Sequence, residues 1–200
     1  MKKPQDTWQP NQETTGSSLP QLTRRTFVKL GTLAAVGTLL PSVVFASNKN
    51  SAVGERHLAF YNTHTSEKLK TIYWIEGNYL DDSLREINHI LRDPRNNEVH
   101  DIDPKLLDFL FAIRMEIDAN QPFHVISGYR SAHTNAFLRS RSSGVAENSL
   151  HLVGQAIDVR TPGRSLSNLR KAAMALKGGG VGYYPKSDFV HIDVGRVRYW

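Results

Sequence analysis

The chain has 200 residues, no cysteine and a formal net charge of +6, which suffices for one globular domain with a sizeable core, or one domain with appendages. The missing cysteine excludes a disulfide framework, thiolate metal sites, cysteine nucleophiles and a lipidated cysteine anchor, so any metal must be held by His, Asp or Glu. Hydrophobic residues at 40% and charged residues at 22% exclude a disordered chain and a multi-span membrane protein.

Residues 1–22 are polar and turn-rich, and lead into Thr23-Arg24-Arg25-Thr26-Phe27-Val28-Lys29, an apolar run over Leu30–Phe45 and the small residue Ala46. A basic segment, an apolar stretch shorter than the ~20 residues of a bilayer span and a small-residue processing site make the pattern of a twin-arginine export signal. Gly31, Gly37 and Pro41 weaken the stretch as a helix, which favours cleavage over a retained membrane anchor. The expected organisation is therefore a signal over 1–46, a polar tether over 47–56 and a folded domain over 57–200. The twin-arginine machinery is the expected export partner and the periplasm the destination, without stable membrane insertion after processing. Residues 1–46 hold five Lys or Arg and two acidic residues, so residues 47–200 carry a net charge of +3. They contain no basic run of the kind that tracks phosphates, which argues against nucleic acid; mild basicity suits an anionic polymer such as the cell wall.

Alternation over Leu58–Thr63 and Leu69–Ile75 around Thr-His-Thr-Ser predicts a hairpin. Leu80, Leu84, Ile87 and Leu91 recur at helical spacing up to Asp93-Pro94, and Leu106, Leu110, Ile113 and Ile117 do so after Asp103-Pro104. Phe123–Ser127 reads as a strand, Ala132–Arg141 as a helix, Ala156–Val159 as a buried strand and Leu166–Leu176 as a helix. Gly178–Gly180 reads as a tight turn into Val181–Tyr184, and Phe189–Val194 as the last strand. Without a repeat or internal boundary, the fold class is α+β, one domain on a mostly antiparallel sheet flanked by helices.

Chemistry concentrates in Ser127-Gly128-Tyr129-Arg130-Ser131, His151-Leu152-Val153-Gly154-Gln155-Ala156-Ile157-Asp158 and Asp188-Phe189-Val190-His191-Ile192-Asp193. Asp158 lies in an apolar strand, where an unpaired charge is costly. His191 is flanked by Val190 and Ile192, so it faces away from their side together with Phe189 and Asp193. Two imidazoles and a carboxylate suit one Zn²⁺ with a fourth position left for water; singly, each residue reads equally as a hydrogen-bonded core side chain. His57, His64, His89, His100 and His124 have no acidic partner at ligand spacing and read as structural, and His133 as a surface residue. The glycine run lacks the Lys-Ser or Lys-Thr of a phosphate loop, and no nucleophile elbow surrounds Ser127 or Ser149.

The runs SGYRS, SLHLVGQAIDVR and GGGVGYYPKSDFVHIDVGRVRYW resemble the zinc D-alanyl-D-alanine peptidase superfamily, which includes lysostaphin-like and hedgehog-type zinc domains. The likeness covers most of residues 57–200. It implies that His151, Asp158 and His191 hold the zinc, and that the protein is a periplasmic peptidase cutting peptide cross-links of peptidoglycan next to diaminopimelate. A general base is then needed. Asp188 stands in the acid-x-x-His arrangement of many superfamily members, whereas Asp193 shares the strand face of His191; alternation favours Asp193, and either acid can instead orient a ligand imidazole. Arg130, in a loop, can reach a carboxylate or a developing oxyanion, or pair with Asp158 or Asp193. Ser127, Tyr129, Asn135 and Ser149 are the expected groove lining, with Tyr199 and Trp200 expected to be buried. A D-alanyl carboxypeptidase and a non-catalytic, zinc-stabilised wall-binding module are the alternatives.

Overall fold

The computed structural model describes residues 54–142 and 144–200. The export signal of 1–46 and residues 47–53 of the expected tether lie outside the described residues. Strand β1 (Glu55–Asn62) takes in two residues that the sequence assigns to the tether. It pairs antiparallel with β2 (Lys68–Ile75) through the expected hairpin, and a short β3 (Asn78–Tyr79) is added on β2.

Helix α1 (Asp81–Ile90) has Asp81 and Asp82 in its first turn, favourable at the positive end of the helix dipole, and buries Ile87 and Ile90. Helix α2 (Pro104–Glu116) begins as the sequence predicts: Asp103 caps the N–H of Lys105 and Pro104 occupies the first turn, where its missing donor costs nothing. Strand β4 (Phe123–Ser127) follows, then α3 (Ala132–Arg139), capped by Ser131 and two residues shorter than expected. A 3₁₀ turn over Leu150–Val153 precedes β5 (Ala156–Arg160), and α4 (Leu166–Leu176) precedes the hairpin of β6 (Gly180–Tyr184) and β7 (Phe189–Asp193).

Among the described residues eight strands form one sheet, in the order β3-β2-β1-β4-β5-β7-β6-β8. The expectation of a mostly antiparallel sheet is corrected to a mixed one. The passage through α1 and α2 returns β4 parallel to β1, and β8 (Arg198–Tyr199) runs parallel to β6. Phe189–Val194 is thus not the last strand; β8 escapes the sequence because two residues show no alternation. Gly178–Gly180 form no hairpin but join α4 to β6, packed against Phe109 and Asp193. Tyr199 and Trp200, expected to be buried, are 40% and 46% exposed.

Strand register separates core from chemistry. Ile157 pairs with Ile192, Val159 with Val190 and Val181 with Ile192, and these side chains join Leu58, Phe60, Leu106, Leu110 and Leu169 in one buried cluster. Period-two alternation then puts Asp158, His191 and Gly182, mutually paired across β5, β7 and β6, on the opposite face. Gly182 has a steric reason: a Cβ there would meet the Trp200 indole at 2.6 Å.

Candidate metal centre

The site forms on that second face. Asp158 and His191 are cross-strand partners, which brings the His191 Nδ1 to 2.9 Å from Asp158 Oδ1. His151 arrives from the 3₁₀ turn, where the Ser149 hydroxyl accepts its N–H and Gly154, at φ +67°, ends the turn in a left-handed conformation that favours glycine. Its Nε2 lies 3.2 Å from His191 Nδ1 and 3.3 Å from Asp158 Oδ1. Three ligand atoms thus converge, all within 4.8 Å of one another.

The outer ring atoms decide what the inner ones offer. His151 Nδ1 donates to the Gly128 carbonyl at 2.7 Å, leaving the Nε2 lone pair facing inward. His191 Nε2 donates to Asp193 Oδ2 at 3.0 Å, leaving Nδ1 facing inward. Two imidazole lone pairs and a carboxylate oxygen aimed at one point repel one another unless a cation stands between them, so the donor set fits a divalent ion.

The electrostatics of the cluster follow from its burial and its close packing of charges. Burial of Asp158 opposes its charge, but the His151 and His191 imidazoles outweigh this and hold its carboxyl well below the usual range. Burial pushes the His151 pKa down. For His191 burial also acts downward, yet the Asp158 and Asp193 carboxylates prevail and raise it. Asp158 Oδ2 takes a 2.5 Å ion pair from Arg130 Nη2, while Arg130 Nε donates to Ser127 Oγ at 2.7 Å.

Of the two acids offered as base, Asp193 is buried beneath His191. Its Oδ1 accepts from the N–H groups of Gly180 (3.1 Å) and Gly195 (2.9 Å) and from Arg198 Nη1 (3.0 Å); its Oδ2 accepts from His191 and from Arg198 Nη2 (2.7 Å). Burial opposes this charge, but the His191 and Arg198 hydrogen bonds overcome it and keep the pKa low. Asp188 sits in the β6–β7 turn at φ +54°, is 65% exposed and pairs with Arg160 at 2.9 Å. The left-handed residue takes it out of the strand alternation.

A cavity of about 500 Å³ opens over the cluster, lined by all three candidate ligands, Ser127, Arg130 and Ser149. Tyr129 and Asn135 are not brought to it. Tyr129 is buried, its hydroxyl donating to Glu98 at 2.6 Å and its ring stacked on His100. The Asn135 amide donates to the Ala146 and Glu147 carbonyls and so anchors the segment that forms one cavity wall. His64, read as structural, donates from Nε2 to the Ile126 carbonyl at 3.0 Å and also lines the cavity; His133 is exposed. Arg95, Arg198 and Trp200 stand on the wall as well; Arg198 and Trp200 lie in the last of the three runs that carry the resemblance, whereas no motif in the sequence signals Arg95. The Trp200 ring lies 5.4 Å from the His191 ring and its Nε1 donates to the Tyr184 hydroxyl at 2.8 Å.

Comparison with known proteins adds a second line. A family model described as peptidoglycan L,D-endopeptidase MepK matches residues 50–200. The chain is 44% identical over 177 residues to the peptidoglycan L,D-endopeptidase MepK of Escherichia coli strain K12, covering 88% of this chain and 96% of that protein; the Shigella flexneri protein of the same name matches equally. A probable peptidoglycan L,D-endopeptidase MepK of Haemophilus influenzae is 39% identical over 178 residues, covering 88% and 95%.

Proposed function

Since the chain belongs to the MepK family of M15 peptidases, we propose that it is a zinc-dependent endopeptidase hydrolysing peptide cross-links of peptidoglycan, at an L,D bond next to diaminopimelate. The observation that carries this reading is the convergence of His151 Nε2, Asp158 Oδ1 and His191 Nδ1 at the floor of an open cavity. One zinc ion held by these atoms would supply a Lewis acid and an activated water.

The chain's own residues do the rest. Gly128 and Asp193 fix the tautomers of His151 and His191, so neither ring has to reorient on loading. Asp193, offered by the sequence as a base, takes a positioning role here, because a carboxylate with both oxygens engaged has no free acceptor for a water proton. Arg130 neutralises Asp158 and presents the remainder of its guanidinium to the cavity, where a developing oxyanion would meet it. Ser127 orients Arg130, and Ser149 orders the turn that carries His151. The periplasm, where peptidoglycan lies, is the proposed location, with residues 1–46 as a twin-arginine signal and 57–200 as the peptidase domain. Among the described residues no helix is long and apolar enough to cross a membrane.

The test is mass spectrometry of muropeptides released from intact sacculi, with chelator and with zinc restored. Zinc-dependent conversion of cross-linked dimers to monomers is the expected result and identifies the bond. Loss of a terminal D-alanine from monomers alone would make the protein a carboxypeptidase, and no change with folded, metal-loaded protein would make it a wall-binding module.

A further inference from the structure

Among the described residues three arginines line the metal cavity, and two are engaged. Arg130 pairs with Asp158 and Arg198 with Asp193. Arg95 lines the same cavity, and its side chain meets no carboxylate among the described residues. Asp158, the one acid on that wall among the described residues, is already taken by two imidazoles and Arg130.

An exposed, unpaired arginine carries little by itself; what distinguishes this one is how its backbone is held. Asp93, fully buried, accepts the Arg95 N–H at Oδ1 (3.0 Å) and both the N–H and the hydroxyl of Ser131 at Oδ2 (3.0 and 2.7 Å). Ser131 follows Arg130 directly and caps α3. Backbone bonds from Asp93 to Glu98 and from Asn97 back to Asp93 close the turn. One buried carboxylate therefore ties the turn carrying Arg95 to the turn carrying Arg130. The base of the free guanidinium is fixed relative to the metal ligands, which reduces what ordering it on binding costs.

We propose that Arg95 is a specificity-determining residue that binds a free carboxylate of the peptide substrate; this rests on the hydrolase reading above. An L,D bond joins the carbonyl of an L-centre to the nitrogen of a D-centre, and a D-amino acid bears its own carboxyl group on the same carbon as that nitrogen. That carboxyl carbon is two bonds from the scissile nitrogen, so it enters the cavity with the bond to be cut. Of the lining arginines, Arg95 is the one whose fork has no acid to hold. A guanidinium meets a carboxylate with two parallel N–H bonds, whereas a carboxamide of the same shape turns an NH₂ toward one donor. The enzyme should therefore discriminate against substrates amidated at that position.

The experiment uses two cross-linked peptides that differ only in a carboxylate or carboxamide on the D-centre beside the scissile nitrogen. They are tested against the zinc-loaded wild type, Arg95→Gln and Arg95→Lys. The wild type is expected to favour the carboxylate peptide about tenfold in kcat/KM, the size of one charge-assisted hydrogen bond. Arg95→Gln should raise KM about tenfold more for that peptide than for the carboxamide peptide, with kcat within about twofold for both, and so abolish the discrimination; Arg95→Lys should recover part of it. Equal cleavage of both peptides by the wild type, or an equal loss on both in Arg95→Gln, would overturn the inference. Calorimetric binding of the same pair reads Arg95 even without turnover: equal affinity of wild type and Arg95→Gln for the carboxylate peptide also overturns it. Cleavage of neither peptide by the zinc-loaded wild type would instead overturn the hydrolase reading.

Discussion

Five donors surround the two oxygens of Asp193, against roughly four lone-pair positions in a carboxylate. A group so engaged is expected to hold geometry rather than collect protons, the positioning role proposed for it above. Asp193→Asn is expected to keep the fold but weaken zinc binding about 10- to 100-fold, as loss of a partner behind a ligand imidazole generally does; competition with a chromophoric chelator measures it. Asp188→Asn should leave both zinc affinity and turnover within about twofold, since Asp188 faces solvent and Arg160. A large loss of turnover at normal zinc content in Asp188→Asn would return the base to that residue. His151, Asp158 and His191 stand out in the sequence because polar residues inside apolar strands or next to a strand-forming run demand a partner. Tyr129 and Asn135 mislead because residue type does not report direction: both lie beside the site in the chain, and both turn away from it.

Among the elements, the β1–β2 hairpin is tied to the end of α1 by one ion pair, in which Arg92 holds both Glu67 oxygens at 2.8 and 3.0 Å. The Arg92 hydrogen bonds, with that of Thr65, lower the Glu67 pKa to about 2. A depressed carboxylate stabilises the fold above its unfolded pKa and ceases to do so as pH falls through the folded one. The gap in thermal midpoint between wild type and Glu67→Gln should accordingly be full near about pH 6 and close between about pH 4.5 and 2; a gap independent of pH would show that packing, and not charge, makes the link. The hairpin and the four helices were legible because apolar residues recur at period two or 3.6 and because Asp103-Pro104 marks a start. Strand β8 and the parallel pairings were not. Two residues have no period, and strand direction depends on how far the intervening helices carry the chain.

For the whole molecule, a ligand that binds only the folded state stabilises it by mass action, by ~2.7 kcal/mol at a hundredfold excess over Kd. In a domain of this size that corresponds to a rise in Tm of about 5–10 °C. Zinc added to chelator-stripped protein should give that rise, and His151→Ala, Asp158→Ala or His191→Ala should abolish it; an unchanged Tm in wild type would dissociate the cluster from metal. The strand order has a further consequence in time. Strand β7 inserts between β5 and β6, both earlier in the chain, so the third candidate ligand takes its place after the strands on either side of it have been made. Asp193, which fixes its tautomer, is held in turn by Arg198 on β8, later still. A chain still emerging from the ribosome therefore holds His151 and Asp158 but no complete centre. The cluster closes only when the β6–β7 hairpin docks as a unit on β5, which makes that docking, and not the formation of either strand alone, the step that assembles the three candidate ligands.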